Sequence, residues 1–320
     1  MTEHADFGRD NYRKVRERVH RPPSSLAAIA TVALVATTVT TGLWLTTSPQ
    51  LAIRVLGQVV VALAAFQAFA VLHDCGHGSF SKSAVANIAV GHVMGVLCVM
   101  PFYSWKFIHQ QHHVWAGSAE NDPAAAIVHR WRQGERISSL TRVLWRSWLP
   151  FVALQQQIVL TLYPLRMLRE GTLNRNKAAK SAASLAFVVC ALATAHFALP
   201  EVINIQLWPA AVAYLSITEL INLPHHLDRL TLERRLPVWE QWRIARSCQY
   251  PPLVSYLVAL NFNLHVEHHM FPDVPWYRLQ EVRSHVRPLL DERYEESVGA
   301  RWVFRNRSRS LEAVVKSPSI

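Results

Sequence analysis

The stretch from Leu51 to His77 reads LAIRVLGQVVVALAAFQAFAVLHDCGH. Its first 22 residues, Leu51 to Leu72, hold one charge, Arg54, near one end. About 20 apolar residues suffice for a helix to cross the hydrocarbon layer of a bilayer, so the segment is long enough to span. Two histidines follow at once, His73 and His77, in the spacing H-x-x-x-H. Residues four apart share one helix face, so both imidazoles project together from the end of the apolar helix. A span that runs straight into paired imidazoles calls for partners of both kinds, further spans and further histidines.

The further spans are present. Leu26 to Thr47 and Ser181 to Pro200 carry no charge, and Val202 to Ile221 carries only Glu219. With 51–72 they form two closely spaced pairs, joined by Ser48-Pro49-Gln50 and by a turn at Pro200 and Glu201. The expected fold is all-α and integral to the membrane, with four transmembrane helices (26–47, 51–72, 181–200, 202–221) in two hairpins. Buried core helices of a soluble protein would not be expected as four such segments in two pairs. Composition agrees: of 320 residues 51% are hydrophobic and 17% charged, against about 25% charged in an average soluble domain. The mean hydropathy is +0.10. Four scattered cysteines (Cys75, Cys98, Cys190, Cys248) make no disulfide scaffold.

Charge orients the hairpins. The net charge is +11, and of 33 Lys and Arg six precede Leu26, twelve lie between His73 and Lys180 and fourteen follow Ile221. The hairpin tips have none. By the positive-inside rule both termini and the long middle segment are cytoplasmic. The basicity is thus read as topology and attraction to anionic headgroups. No basic stripe interleaved with aromatics marks a nucleic-acid module. Residues 1–25 and 301–320 read as basic tails. Ala84 to Trp105 and Val143 to Leu168 read as amphipathic helices lying in the interface, and Pro252 to Leu264 is a short apolar stretch. No cleavable signal peptide is visible.

The further histidines are present too. His109, His112 and His113 stand as H-x-x-H-H, and His265, His268 and His269 repeat it. Asn222 and His226 stand as N-x-x-x-H directly after the fourth apolar segment. Positions i, i+3 and i+4 share a helix face, and imidazole is the commonest metal ligand. All these clusters fall on the predicted cytoplasmic side and can converge on one site. Nine ligands are too many for one ion, and with Asn222 or a water they suit two ions of about five ligands each. Of the other histidines, His4, His20, His92, His129, His196 and His285 read as surface, packing or interface residues. His225, beside His226, points elsewhere on a helix. Zinc hydrolases typically keep three protein ligands on one metal. A histidine-rich dimetal site beside a bilayer suits iron and dioxygen, which can break an unactivated C–H bond. The substrate would then be a hydrocarbon chain entering from the bilayer.

These residues resemble the membrane fatty acid desaturase family and its three histidine boxes. The first is His-Asp-Cys-Gly-His (73–77), the second lies within Pro-Phe-Tyr-Ser-Trp-Lys-Phe-Ile-His-Gln-Gln-His-His (101–113), and the third within Asn-Leu-His-Val-Glu-His-His-Met-Phe-Pro-Asp-Val-Pro-Trp-Tyr (263–277). Boxes one and two look most like the acyl-lipid Δ12/ω3, methyl-end branch. The resemblance runs from about Phe66 to Arg287. It implies a desaturase domain over 26–300, with four spanning helices and a cytoplasmic helical cap holding two iron ions (Fe2+). The implied ligands are His73, His77, His109, His112, His113, His226, His265, His268 and His269, with Asn222 acting through a water. The implied reaction uses O2 and two electrons to leave a double bond in an acyl chain. Asp74 and Asp228 read as orienting ligand imidazoles, or else as solvated loop acids. Glu267 reads as packing or ion pairing, and Cys75 as small packing. Trp105, Trp115 and Trp276 read as lining an acyl tunnel or sitting at the interface.

Departures narrow the branch. His265 opens the third box where front-end desaturases often have Gln. No His-Pro-Gly-Gly of a fused cytochrome b5 is present, so the electron donor is expected to be a separate protein, ferredoxin or cytochrome b5-like. A basic cytoplasmic face suits an acidic donor. The first box is H-D-x-x-H where alkane hydroxylases show H-E-x-x-H. The substrate is expected as acyl lipid, acyl-CoA or acyl-carrier protein, and the location as a bacterial inner membrane. Related oxidations remain open: lipid hydroxylation, carotenoid oxygenation, acetylenic bond formation or decarboxylation to a terminal alkene. A zinc-dependent membrane hydrolase is the distant alternative, because fold does not fix function.

Overall fold

The computed structural model describes residues 7–118, 121–123, 131, 136–171, 173–202, 207–227, 235–290, 295–296 and 299–316. His4, His129 and Asp228 lie outside them. Two compact units divide the chain. A hairpin unit comprises Pro22–His109 and Val152–Glu219, and a terminal unit comprises Met1–Arg21, Gln110–Phe151 and Leu220–Ile320.

In the hairpin unit, α2 (Ser25–Thr46) begins at Ser24, whose hydroxyl accepts the Ala27 N–H. It is followed by α3 (Leu51–His77). The two pack closely, because a Cβ on Gly42 would stand 2.8 Å from the Val61 backbone nitrogen. Small residues allow such approach where lipid removes the hydrophobic drive to associate. At 1.5 Å per residue the 27 residues of α3 extend about 40 Å, longer than the ~30 Å hydrocarbon core. The excess of about 10 Å is nearly two turns, and His73 and His77 stand at that end of the helix.

Sequence reads Ala84 to Trp105 as one interfacial helix, and the structure corrects this. α4 (Ala84–Leu97) and α5 (Phe102–Trp115) meet at a bend of 103°. Val99, β-branched and at φ 55°, and Pro101 occupy the corner. The Val143 to Leu168 stretch also divides, into α6 (Ser139–Arg146), in the terminal unit, and α7 (Phe151–Arg169), almost all in the hairpin unit. The start of α7 is capped from a distance. Glu219, 5% exposed, accepts the Val152 and Ala153 N–H groups at 2.8 and 3.0 Å. A carboxylate at a helix N-terminus satisfies orphan donors and opposes the dipole, which accounts for this buried acid.

α8 (Arg175–Ala198) is capped by Asn174, and α9 (Trp208–His226) has Pro224 in its last turn. Among the described residues three helices are long and apolar enough to cross a membrane, α2, α3 and α8. The bent α4–α5 pair makes a fourth if taken as one span. α9, described from Trp208, is not among them, and residues 203–206 of the expected fourth span lie outside the described residues.

In the terminal unit, the segments read as tails contain packed helices. α1 (Arg9–Val19) buries Tyr12, Val15 and Val19 in a core with Val266, Met270, Phe271 and Val282. The Tyr12 ring stacks on Phe271 at 4.9 Å, and Arg16 pairs with Asp273 at 2.8 Å. That core encloses α10 (His265–Met270), the third box, and one face of α11 (Leu279–Val286). α12 (Gly299–Arg307) and α13 (Leu311–Lys316) bury Trp302, Val303, Leu311, Val314 and Val315. They are tied to α6 by Trp145, whose indole N–H donates to the Arg309 carbonyl at 2.9 Å. The β pairing seen among the described residues is a two-residue parallel bridge, β1 (Ser247–Cys248) with β2 (Glu295–Glu296).

Candidate metal centre

In the hairpin unit the last turn of α3 carries His73 and His77, and α5 brings His109 beside them. Ring centroids stand 4.8 to 5.0 Å apart for the three pairs. A potential ligand nitrogen from each lies within 4.8 Å of the others. Trp105, one turn before His109, is buried, stacks on the His109 ring at 4.4 Å and sits 5.3 Å from His73. The aromatic face therefore walls the imidazoles, a role sequence reading did not assign it. Gly76 explains its own place in the first box: a Cβ there would stand 2.3 Å from the Trp105 ring. Asp74 is buried with Oδ1 3.6 Å from His73 Nδ1, too far for a hydrogen bond.

The terminal unit gathers four histidines, His112 from α5, His226 from the end of α9, and His265 and His269 from α10. Their Nε2 atoms converge. His226 and His265 are 2.9 Å apart, His269 is 3.2 Å from each, and His112 is 3.3 Å from His269. What occupies the other ring nitrogens decides what these contacts are. His112 Nδ1 meets the buried carboxylate of Asp122 at 2.8 Å, and His226 Nδ1 meets the Ile244 carbonyl at 2.9 Å. Both partners are acceptors, so each Nδ1 donates its proton, and in the neutral ring Nε2 then carries the lone pair. His269 Nδ1 lies 3.0 Å from the side-chain amide of Gln241. Burial holds the His269 pKa well below the usual imidazole value, reinforced by His113, His265, His226 and His112, so the ring stays neutral.

Converging lone pairs repel unless a cation sits among them. Metal–nitrogen bonds of about 2.0–2.1 Å place neighbouring nitrogens about 2.9 Å apart at right angles and about 3.4 Å apart in a tetrahedron. The observed 2.9 to 3.3 Å lies within that range. The donor set, four converging imidazole nitrogens with the back nitrogens of three rings engaged, fits a divalent transition metal. A further pair, His113 and His268, brings Nε2 atoms to 3.0 Å in the same unit.

Each of the nine sequence-predicted histidines thus falls in one of these three sets, four, three and two. Asn222 lies one turn before His226 on α9, half-buried. Sequence reading missed Asp122, ten residues beyond His112, and Gln241, in the Trp-Glu-Gln-Trp segment. Neither spacing follows a helix or strand period. His225 does not point away from the site: its buried ring stacks on His265 at 4.2 Å and 11°. Burial lowers its pKa well below the usual imidazole value, with His226 and Arg246 adding to this. Glu267, fully buried, accepts from the Ser247 hydroxyl, whose oxygen accepts the Val266 N–H at 2.9 Å. It therefore anchors α10, as a packing role expects.

Apolar helices long enough to cross a membrane, together with histidine groups whose spacing could hold a metal ion, define a class of membrane proteins with a candidate metal centre. The chain belongs to the fatty acid desaturase family, whose model matches residues 49–299. It is 26% identical over 245 residues to a chloroplastic omega-3 fatty acid desaturase of Glycine max, covering 71% of this chain and 53% of that protein. It is 24% identical over 258 residues to the sn-1 acyl-lipid omega-3 desaturase (ferredoxin) of Synechocystis sp., covering 73% and 67%. A third relative is the acyl-lipid omega-3 desaturase (cytochrome b5) of the endoplasmic reticulum of Arabidopsis thaliana, 26% identical over 251 residues, covering 71% and 62%. The chain spans between about half and two thirds of the length of these relatives.

Proposed function

We propose that this protein is a membrane fatty acyl desaturase of the methyl-end type. It inserts a double bond into an acyl chain at the expense of O2 and two electrons from a separate donor protein. The observation that carries the reading is the four-histidine set, whose facing Nε2 atoms lie 2.9 to 3.3 Å apart with two Nδ1 protons already assigned to acceptors. Such a set is a poor hydrogen-bond network and a good metal cradle. Two iron ions would activate O2, the oxidant, which with two donor electrons, two protons from solvent and the two hydrogens lost by the acyl chain ends as two waters.

The chain's own residues hold and orient. His112, His226, His265 and His269 hold one ion. His73, His77 and His109 in the hairpin unit, and His113 and His268 in the terminal unit, are the remaining ligands that the family resemblance implies, with Asn222 acting through a water. Asp122 and the Ile244 carbonyl keep their imidazoles in the ligating tautomer. Burial of His73, His112, His265, His268 and His269 keeps bulk water from the reacting carbon. Four spans, cytoplasmic termini and a cytoplasmic site in a bacterial inner membrane complete the proposal, and the basic face suits an acidic ferredoxin or cytochrome b5-like donor. The relatives' names carry both donor types.

Lipid profiling of a host that expresses the chain tests the reading. New unsaturated acyl chains are expected. Hydroxylated lipids, terminal alkenes or altered carotenoids, with acyl unsaturation unchanged, would replace it with another oxidation.

A further inference from the structure

Gln241 lies in the tight helical turn Val238–Arg243 and is 3% exposed. Its amide reaches two histidine boxes. Nε2 donates to the His113 backbone carbonyl at 2.9 Å, and Oε1 stands 3.0 Å from His269 Nδ1. A backbone carbonyl can only accept, so the first contact determines which end of the amide is nitrogen. The oxygen end then faces His269, and Nδ1 of that ring must hold the proton. Its Nε2 lone pair is thereby aimed at the His112, His226 and His265 nitrogens.

The surrounding segment has the same job. Trp239 and Trp242 pack against the core that encloses the third box. Ile244 offers its carbonyl to His226, and Ser247 caps the Val266 N–H at the start of α10. Residues 238–247 thus form a bracket along the third box.

We propose that Gln241 is a positioning residue for the four-histidine site. It sets the tautomer of His269 and links that ligand to the backbone of the second box. A neutral amide draws the Nδ1 proton less than the Asp122 carboxylate draws that of His112, so His269 is the weaker donor of the two. The inference rests on the four histidines being a metal site.

Full-length wild type, Gln241→Leu and Gln241→Glu are titrated with Co2+ alone, reading affinity and visible bands, with helical content and metal-free melting as controls. Wild type is expected to bind. Gln241→Leu is expected to hold one ion about 10–100-fold more weakly, with both controls unchanged. Gln241→Glu keeps the arm to His269, loses the arm to His113 and accepts the Nδ1 proton more strongly. It is expected to retain binding and to shift the cobalt bands. Unchanged affinity in a folded Gln241→Leu, or Gln241→Glu with unshifted bands or with affinity as low as the Leu variant, overturns the inference alone. If Gln241→Leu does not fold, the Gln241→Glu bands and affinity decide. A wild type that takes up no cobalt overturns both this inference and the metal-site reading beneath it.

Discussion

The histidines of the two units are held in two different ways. In the hairpin unit His73, His77 and His109 are set by packing, with the Trp105 ring stacked on one and beside another and Gly76 shaved to admit it. In the terminal unit His112, His226 and His269 are set by polar partners, a carboxylate, a backbone carbonyl and an amide. The difference follows from what each unit can offer. A helix of membrane-crossing length satisfies its own backbone, and an aromatic wall stands against the imidazoles at the end of α3. The terminal unit is rich in turns, whose carbonyls and side chains are free to accept. Packing makes the first set sensitive to volume, and hydrogen bonding makes the second sensitive to charge.

Removing a ligand outright should have the largest effect. On the proposed function, His112→Ala is expected to abolish desaturation and lower the iron content of purified protein, with membrane insertion retained. Persistent activity would remove His112 from the ligand set. Next comes volume. Gly76→Ala pushes a methyl into Trp105 and should cost about 1–3 kcal/mol in thermal unfolding. Combining it with Trp105→Leu should cost less than the two singles together, and strict additivity would show that packing does not set these rings.

Charge should act more gently. Asp122→Asn leaves an acceptor but removes its charge, so affinity for one ion should fall about tenfold, as read by metal titration, with little change in melting. A large drop in melting with unchanged affinity would place Asp122 in the core rather than behind His112. The smallest effect belongs to an exposed polar tie of the same unit. Arg142 donates to Glu312 at 2.6 Å and holds its carboxyl below the usual range, with its own backbone N–H adding to this. A depressed acid stabilises the folded state above the ordinary glutamate value of about 4.3 and ceases to do so as pH falls through its folded value. Glu312→Gln should therefore cost under about 1 kcal/mol at neutral pH, after screening, and less still at pH 3.

Much of this was legible in the chain. The α3 span and the paired histidines at its end follow from apolar length with a single charge and from i, i+4 spacing, and the H-x-x-H-H faces from i, i+3 and i+4 spacing. Those signals are local, and helix periodicity makes them visible. The fourth expected segment lies partly outside the described residues, and the described part, α9, ends in polar residues. Val99 and Pro101 marked the corner between α4 and α5, yet only the structure supplied the 103° bend.

By itself the sequence determined the class: apolar segments of spanning length, a basic side, and nine histidines at helix spacing. Which imidazoles face one another was decided only by tertiary structure. His112, His226, His265 and His269 come from two boxes and an N-x-x-x-H element up to 157 residues apart. The partners behind them, Asp122, Gln241 and the Ile244 carbonyl, sit on turns with no periodic relation to the ligands they hold. Periodicity reports which face of a helix a residue shares. A tautomer depends on which acceptor the folded chain brings to the far side of the ring, and that contact has no counterpart in spacing.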